Sequence, residues 1–310
     1  MRRVINIQYF ICITLLIAGC KEEVVDYNNN SCKGTTSFIT KFGFQANKAY
    51  LSTSDKRLMG LLLEELPDPK DPLKRPRTYQ HPSWKMAGWL GPMQIDNVGN
   101  VFLAPVPVVN VLHNKADKQN TLYRVDGQSG EMSVFMELSA LDSSNIYNAY
   151  GILGFAYLCE TNTLYVSSVA GSTRSKEVGV IYAIDINNKK IIDKLEGIDI
   201  LGMGISYIEG KRKLYLGSAR TSNVYSVVLT KEGKFSGKVE QAFTLENIGP
   251  RGDDKLRKIK IDTYGNLNVY GYEFNFNLIA PTEKQETVYE FIYDDATKKW
   301  NYSKILSNKK

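Results

Sequence analysis

Apolar and polar residues alternate with period two along most of the chain, and the alternation recurs in units. Four segments align: LGPMQIDNVGNVFLA from Leu90, LGFAYLCETNTLYVSS from Leu153, MGISYIEGKRKLYLGS from Met203 and LRKIKIDTYGNLNVYG from Leu256. Each alternates, crosses a short polar stretch and alternates again, which is the pattern of a β-hairpin. A degenerate copy, FITKFGFQANKAYLSTS, starts earlier, at Phe38. A third alternating run follows every hairpin: LMGLLLEE, TLYRVD, VIYAID, NVYSVVL and TVYEFIYD. A polar turn (GQSGE, INNKK, TKEGK or DATKK) then leads to a fourth: MSVFMEL, KIIDKL, KVEQAFTL or WNYSKIL. In the first copy RTYQHPSW takes the fourth place, after a Pro-rich insertion.

Equivalent second-strand positions are Tyr50, Phe102, Tyr165, Tyr215 and Asn268, at intervals of 52, 63, 50 and 53 residues. Four strands per unit at that period predict an all-β fold, a β-propeller of four-stranded blades over residues 37–307. One such sheet cannot bury both faces alone, whereas sheets stacked radially can. Five copies are visible, and the divergent 36–89 region leaves room for a sixth. A sandwich or barrel also contains many short strands, but regular four-strand units argue against it. The repeat form resembles the broad group of TolB-like, NHL-like and gluconolactonase-like propellers. That resemblance covers nearly the whole chain beyond the N-terminal region and rests on no diagnostic motif; no WD or kelch signature is present.

The N-terminus has a different pattern. Arg2 and Arg3 precede a mostly apolar run, Val4 to Ala18, interrupted by Asn6, Gln8 and Thr14. The run falls short of the roughly 20 apolar residues a spanning helix needs, and its flanks fit a secretory signal over residues 1–19. Its end, Ile17-Ala18-Gly19-Cys20, resembles the lipobox of bacterial lipoproteins. The resemblance implies cleavage before Cys20 and acylation of that cysteine with palmitoyl-type chains, a stable anchor when two or more chains are present. Lys21, Glu22 and Glu23 follow at once and resemble the surface-export signal of Bacteroidetes lipoproteins. The implied location is the outer face of the outer membrane, held by membrane lipid through Cys20. Residues 20–36 then read as a polar, Asn-rich tether.

Composition adds limits. Hydrophobic content of 43% and charged content of 23% suit a globular body, and 24 Gly with 19 Tyr favour strands and turns. The formal charge is +6 before Arg2 and Arg3 leave with the signal, and no Lys/Arg block points to nucleic acid. Cys12 would go with the signal. Cys32 and Cys159 remain in an oxidising compartment, where they either bridge or stand as two thiols. No Cys/His spacing suits zinc, and neither an EF-hand loop, a GxSxG, an HExxH nor a P-loop occurs. No metal, catalytic residue or cofactor is assigned.

The connections between strands two and three, and between blades, are the longer ones. In a propeller they share one face, where binding residues are expected. Arg174 and Arg220 occupy similar places in consecutive units (GSTRS and GSART), and Arg251 lies in a blade-linking loop. Converging guanidiniums would take a carboxylate or phosphate. Alternatively each pairs with a nearby acid, Glu273, Asp253 or Asp254. His113 lies in the longest loop of that face. Arg174, Arg220, Arg251, Glu273, His113 and Asp253 are therefore the ligand-binding candidates. Tyr147, Tyr150, Tyr272, Phe274 and Phe276 either stack a ligand or plug the channel. Three functions compete: a surface binding module, whose partner would be a TonB-dependent transporter or another envelope protein; a metal-dependent lactonase or hydrolase, drawing oxygens from Glu273, Asn275, Asn277, Asn148 and Asp253; and a structural scaffold.

Overall fold

The structure is a computed structural model that describes residues 32, 34–54, 58–71, 76–107, 114–142, 148–276 and 285–309. It is a five-blade β-propeller built from antiparallel sheets. The first blade holds β1 (Ala49–Ser52), β2 (Leu62–Glu65) and β3 (Thr78–Tyr79). The second holds β4 (Leu90–Ile95), β5 (Val101–Pro105), β6 (Thr121–Val125) and β7 (Met132–Glu137). The third holds β8 (Ile152–Leu158), β9 (Thr163–Ser168), β10 (Val180–Asp185) and β11 (Lys190–Glu196). The fourth holds β12 (Ile200–Ile208), β13 (Lys211–Ser218), β14 (Asn223–Leu229) and β15 (Phe235–Thr244). The fifth holds β16 (Lys255–Ile261), β17 (Leu267–Tyr272), β18 (Glu286–Asp294) and β19 (Lys299–Lys309). Strands within each blade pair in chain order.

The period-two pattern has a direct structural meaning. Successive side chains of a strand point to opposite sheet faces, so each middle strand feeds two inter-blade cores. In β5, Val101 and Leu103 join the cluster with the first blade, while Phe102 and Ala104 join the cluster with the third. In β9, Leu164 and Val166 face the second blade and Tyr165 faces the fourth. In β13, Leu214 and Leu216 face the third blade and Tyr215 the fifth. Large polar tips cross these cores: Tyr165 Oη donates to the Gly233 carbonyl at 2.6 Å, and Trp300 Nε1 donates to Tyr215 Oη at 2.9 Å.

The tight connections share the other face, here called the turn face. Two of them repeat an Asp-x-x-Gly-Asn sequence with one geometry. Asp96 accepts from the amides of Val98 and Asn100 at 3.0 and 2.8 Å, and Asp262 accepts from those of Tyr264 and Asn266 at 2.8 and 2.9 Å. Gly99 and Gly265 take φ of 88° and 85°, which a glycine adopts without a Cβ penalty.

The start of the first unit departs from the sequence expectation. Phe38–Lys41 is a single helical turn, α1, rather than a strand. Its apolar residues also have helical spacing. Phe38 and Phe42 both meet Trp84 in edge contacts, at centroid distances of 5.7 and 6.1 Å, and the Phe42 amide donates to the Phe38 carbonyl at 2.9 Å. RTYQHPSW likewise gives only the two-residue β3, because Pro82 opens a 3-10 turn over Pro82–Lys85. The first blade therefore has three described strands rather than four.

The residues before α1 form a strap across the turn face. Cys32 is disulfide-bonded to Cys159, in the β8–β9 turn of the third blade, with Cα atoms 5.7 Å apart. The Gly34 amide donates to the Asp96 carbonyl (2.8 Å), and the Phe38 amide to the Gly127 carbonyl (3.1 Å). A Cβ on Gly34 would lie 2.3 Å from the Gly99 nitrogen, so only glycine lets the strap lie this close. Cys32 and residues 34–36, assigned to the tether by composition, thus lie on the body in this structure, with Thr36 buried.

Candidate functional site

On the loop face, the approach to each complete blade's inner strand is held by a buried polar side chain. At the entry to β4 the side chain comes from the β5–β6 connection: Asn114 accepts from the Trp89 amide at 2.8 Å and donates to its carbonyl at 2.9 Å. Before β8, Asn148 accepts from the Tyr150 amide at 2.8 Å and donates to the Val169 carbonyl at 2.7 Å. Before β12 and β16 the same place is taken by carboxylates, Asp199 and Asp254, neither exposed to solvent. These residues turn the chain inward at the top of each blade. All four are short Asn or Asp side chains; Asn114, Asn148 and Asp199 bond backbone groups, whereas Asp254 bonds the side chains of Arg251 and Tyr289.

The two carboxylates claim two of the three candidate arginines. Arg220 donates Nε to Asp199 Oδ2 at 2.7 Å, and its remaining nitrogens donate to the carbonyls of Arg174, Thr173 and Lys176 at 3.0, 2.7 and 2.6 Å. Ser172 Oγ and the Gly179 amide also donate to Asp199 Oδ1, at 2.5 and 2.9 Å. Arg251 forks onto Asp254 through Nε at 2.5 Å and a terminal nitrogen at 2.7 Å, and it reaches Thr287 Oγ1 at 3.0 Å. Tyr289 Oη completes that group with a 2.6 Å bond to Asp254 Oδ2. Arg220 therefore ties the β13–β14 loop to the third blade's β9–β10 loop and to the entry to β12, and Arg251 ties the entry to β16 to β18. A bidentate carboxylate saturates the edge that would otherwise read a ligand.

Arg174 is exposed, and its carbonyl is one of the Arg220 acceptors. Asp253 is exposed, and Lys255 Nζ donates to its carbonyl at 2.8 Å; Glu273 is also exposed. Asn148 is committed to backbone partners. His113, Asn277, Tyr147, Cys20, Lys21, Glu22 and Glu23 lie outside the described residues. Among the described residues no cluster of three or more His, Cys, Asp or Glu side chains is placed to hold a metal ion. Asp199 was missed by the sequence argument, because its partner Arg220 lies across a whole hairpin; Asp254 was visible as an acid three residues from Arg251.

The aromatic candidates form a plug. Tyr150, Tyr272, Phe274 and Phe276 are buried with Val169, Leu201 and Ala219 in one cluster at the top of the ring. Phe274 lies 5.2 Å from Tyr150 and 5.1 Å from Phe276, and the Arg220 guanidinium sits 5.5 Å over the Phe276 ring. Burial pushes the Tyr150 hydroxyl up to about 12 and raises that of Tyr272 as well, so both stay protonated. Two clefts among the described residues are small beside the roughly 300–1,000 Å³ usual for ligand pockets. One of about 140 Å³ lies at the rim by Met86, Asn114 and Lys118, and a polar one of about 230 Å³ lies on the turn face by Asp96, Arg124 and Asn187.

Burial raises the Asp199 pKa above its ordinary value of 3.8, outweighing the lowering by Ser172 and Arg220. The folded state then holds this proton more tightly than the unfolded chain does. Stability linked to Asp199 is present below the ordinary value and falls as pH rises through the raised one. Urea midpoints measured from pH 4 upward should carry this slope, and Asp199→Asn should remove it.

No protein family and no curated protein sequence matches the chain. Solved structures do. The Bacteroides ovatus xyloglucan PUL GH43B is 13% identical with a TM-score of 0.41, over 74% of this chain and 44% of its own. The endo-arabinase of Bacteroides thetaiotaomicron is 12% identical with a TM-score of 0.39, over 70% and 80%. The periplasmic gluconolactonase of Pseudomonas aeruginosa is 14% identical with a TM-score of 0.35, over 56% and 46%. The chain thus spans less than half of the first and third of these proteins.

Proposed function

We propose that the protein is a surface-displayed lipoprotein of the outer membrane whose propeller binds another envelope protein, a TonB-dependent transporter being one candidate. The observation that carries this reading is the run LLIAGCKEE, in which a lipobox-like end meets a lysine and two acids. The geometry supports it in two ways. The strap joins the body at the turn face through Cys32. Residues 21–31 could separate that point from an acylated Cys20 by at most about 40 Å fully extended. In this reading we take the turn face toward the bilayer and the loop face away from it. On that outward face Arg220 and Arg251 are internally paired and the channel top is plugged, which favours contact with a protein surface over enclosure of a small molecule.

Cys20→Ser should abolish metabolic labelling with palmitate and release the protein from the membrane fraction. Retention of label in that variant would overturn the lipoprotein reading. Protease added to whole cells should degrade the native protein but spare a variant with Lys21, Glu22 and Glu23 replaced by alanine. Affinity capture of the intact lipoprotein from outer membranes should bring down a stoichiometric envelope protein; capture of the chain alone counts against the binding reading.

A further inference from the structure

Among the described residues, no strand occupies the inner position of the first blade. In the other four blades the inner strands β4, β8, β12 and β16 lie next to second strands β5, β9, β13 and β17. β1 takes the second-strand place, with β2 on its outer side, and is the edge of its described sheet on the inner side. The residues expected to supply the inner strand form α1 on the turn face instead.

The register shows which backbone groups point into that position. The Leu66 amide donates to the Lys48 carbonyl at 2.8 Å, and the Glu65 amide donates away from β1, to Arg77, at 2.9 Å. Antiparallel pairs alternate between bonded and non-bonded. Tyr50 is therefore bonded to its opposite residue Glu64, whereas Ala49 and Leu51, opposite Glu65 and Leu63, direct their N–H and C=O groups to the edge. The Ala49 and Leu51 side chains pack on the apolar cluster shared with the second blade.

The opposite wall is polar. In the fifth blade Leu267, Val269, Ile259 and Ile261 face the fourth blade. By alternation Lys258, Lys260, Asn268 and Tyr270 face the first. β12 is buried on both faces for most of its length, whereas Lys258 and Lys260 of β16 are exposed. Lys260 Nζ lies 5.3 Å from the Tyr270 ring centroid and has no ion-pair partner among the described residues. Two buried oxygens, Asn268 Oδ1 and Glu64 Oε1, lack a hydrogen-bond donor. No described apolar cluster joins the fifth blade to the first, although one spans each of the other four seams.

We propose that this position accepts an extended segment of a partner protein, which adds to β1 as the missing inner strand of the first blade. The inference rests on the protein-binding reading above and places the contact at the seam between the first and last blades rather than on the loop face. Strand addition draws affinity from the backbone edge and specificity from alternate side chains. Apolar residues would face the cluster beside Leu51. Acidic and hydroxyl residues would face Lys260, Asn268 and Glu64, the acids meeting the lysine and the hydroxyls supplying donors.

The test uses the full mature chain in detergent and labelled peptides of sequence Thr-Val-Asp-Val-Asp-Val-Thr, with Lys in place of Asp as the control. The acidic peptide should bind about tenfold more tightly than the basic one, and Lys260→Glu should reverse that order. Lys260 is exposed, so the variant should fold. Hydrogen exchange at the Leu51 amide should be fast in the free protein and slow with the acidic peptide. Equal binding of both peptides, no binding at millimolar concentration, or unchanged exchange at Leu51 would overturn the proposal. So would a Leu51 amide already as slow as those of β5 in the free protein, since the chain's own residues would then fill the edge. The binding assay needs neither acylation nor a cell surface. Failure of the Cys20→Ser prediction therefore leaves it standing, and failure here leaves capture of a partner by another face intact.

Discussion

Asp254→Ala lowers the stability of the propeller by about 3–5 kcal/mol, the range for removing one partner of a buried ion pair. Asp254 is fully buried, accepts two bonds from Arg251 and one from Tyr289, and sits where the chain enters β16. The alanine leaves a largely buried guanidinium and a buried hydroxyl without their acceptor, and the penalty comes mainly from those orphaned groups. At about 2–4 °C per kcal/mol for a domain of this size, the melting temperature should fall by roughly 6–20 °C. Asp254→Leu combined with Arg251→Met should recover much of the loss, because an apolar pair has no charge to desolvate. A ligand-binding role predicts the opposite for Arg251: its replacement alone would leave stability unchanged and abolish ligand capture. Urea unfolding of the three variants decides between them, and a loss below about 1 kcal/mol for Asp254→Ala would refute the anchoring role.

Cys32→Ser lowers stability by about 2–4 kcal/mol, and reductant has the same effect on the native chain. The disulfide joins residues 127 apart. A cross-link over so long a loop removes a large share of the unfolded chain's freedom. It also fixes the strap, whose Gly34 and Phe38 amides then find acceptors on the second blade. Reductant should shift the urea midpoint of the native protein and leave that of Cys32→Ser where it is. A native midpoint insensitive to reductant would show that docking of the strap does not depend on the bond.

The architecture was legible because strand-length runs between polar turns recur at a regular period, the middle strands being apolar toward both neighbouring blades. Val101, Phe102, Leu103 and Ala104 show why, since all four are apolar and each pair serves a different seam. The first unit misled for a physical reason. FITKFGF satisfies both a strand and a helical turn, and the choice was made by Trp84, more than forty residues away. The arginines were ambiguous for the same kind of reason. Arg251 and Asp254 are three residues apart and their pairing could be read directly, whereas Arg220 meets Asp199 across a hairpin. Whether a guanidinium is satisfied at home depends on such tertiary partners, and residue type alone carries no trace of it.

The strap also sets an order of events. Cys32 is among the earliest described residues to be made, yet its docking surface is assembled from the turns at Asp96, Gly127 and Cys159. Those turns exist only after the second blade and the first hairpin of the third have been synthesised and paired. The first described segment to be synthesised is thus among the last to find its place, and the opening blade waits on the blades behind it. A chain built in this way completes its ring backwards, from later-made sheets to its own beginning.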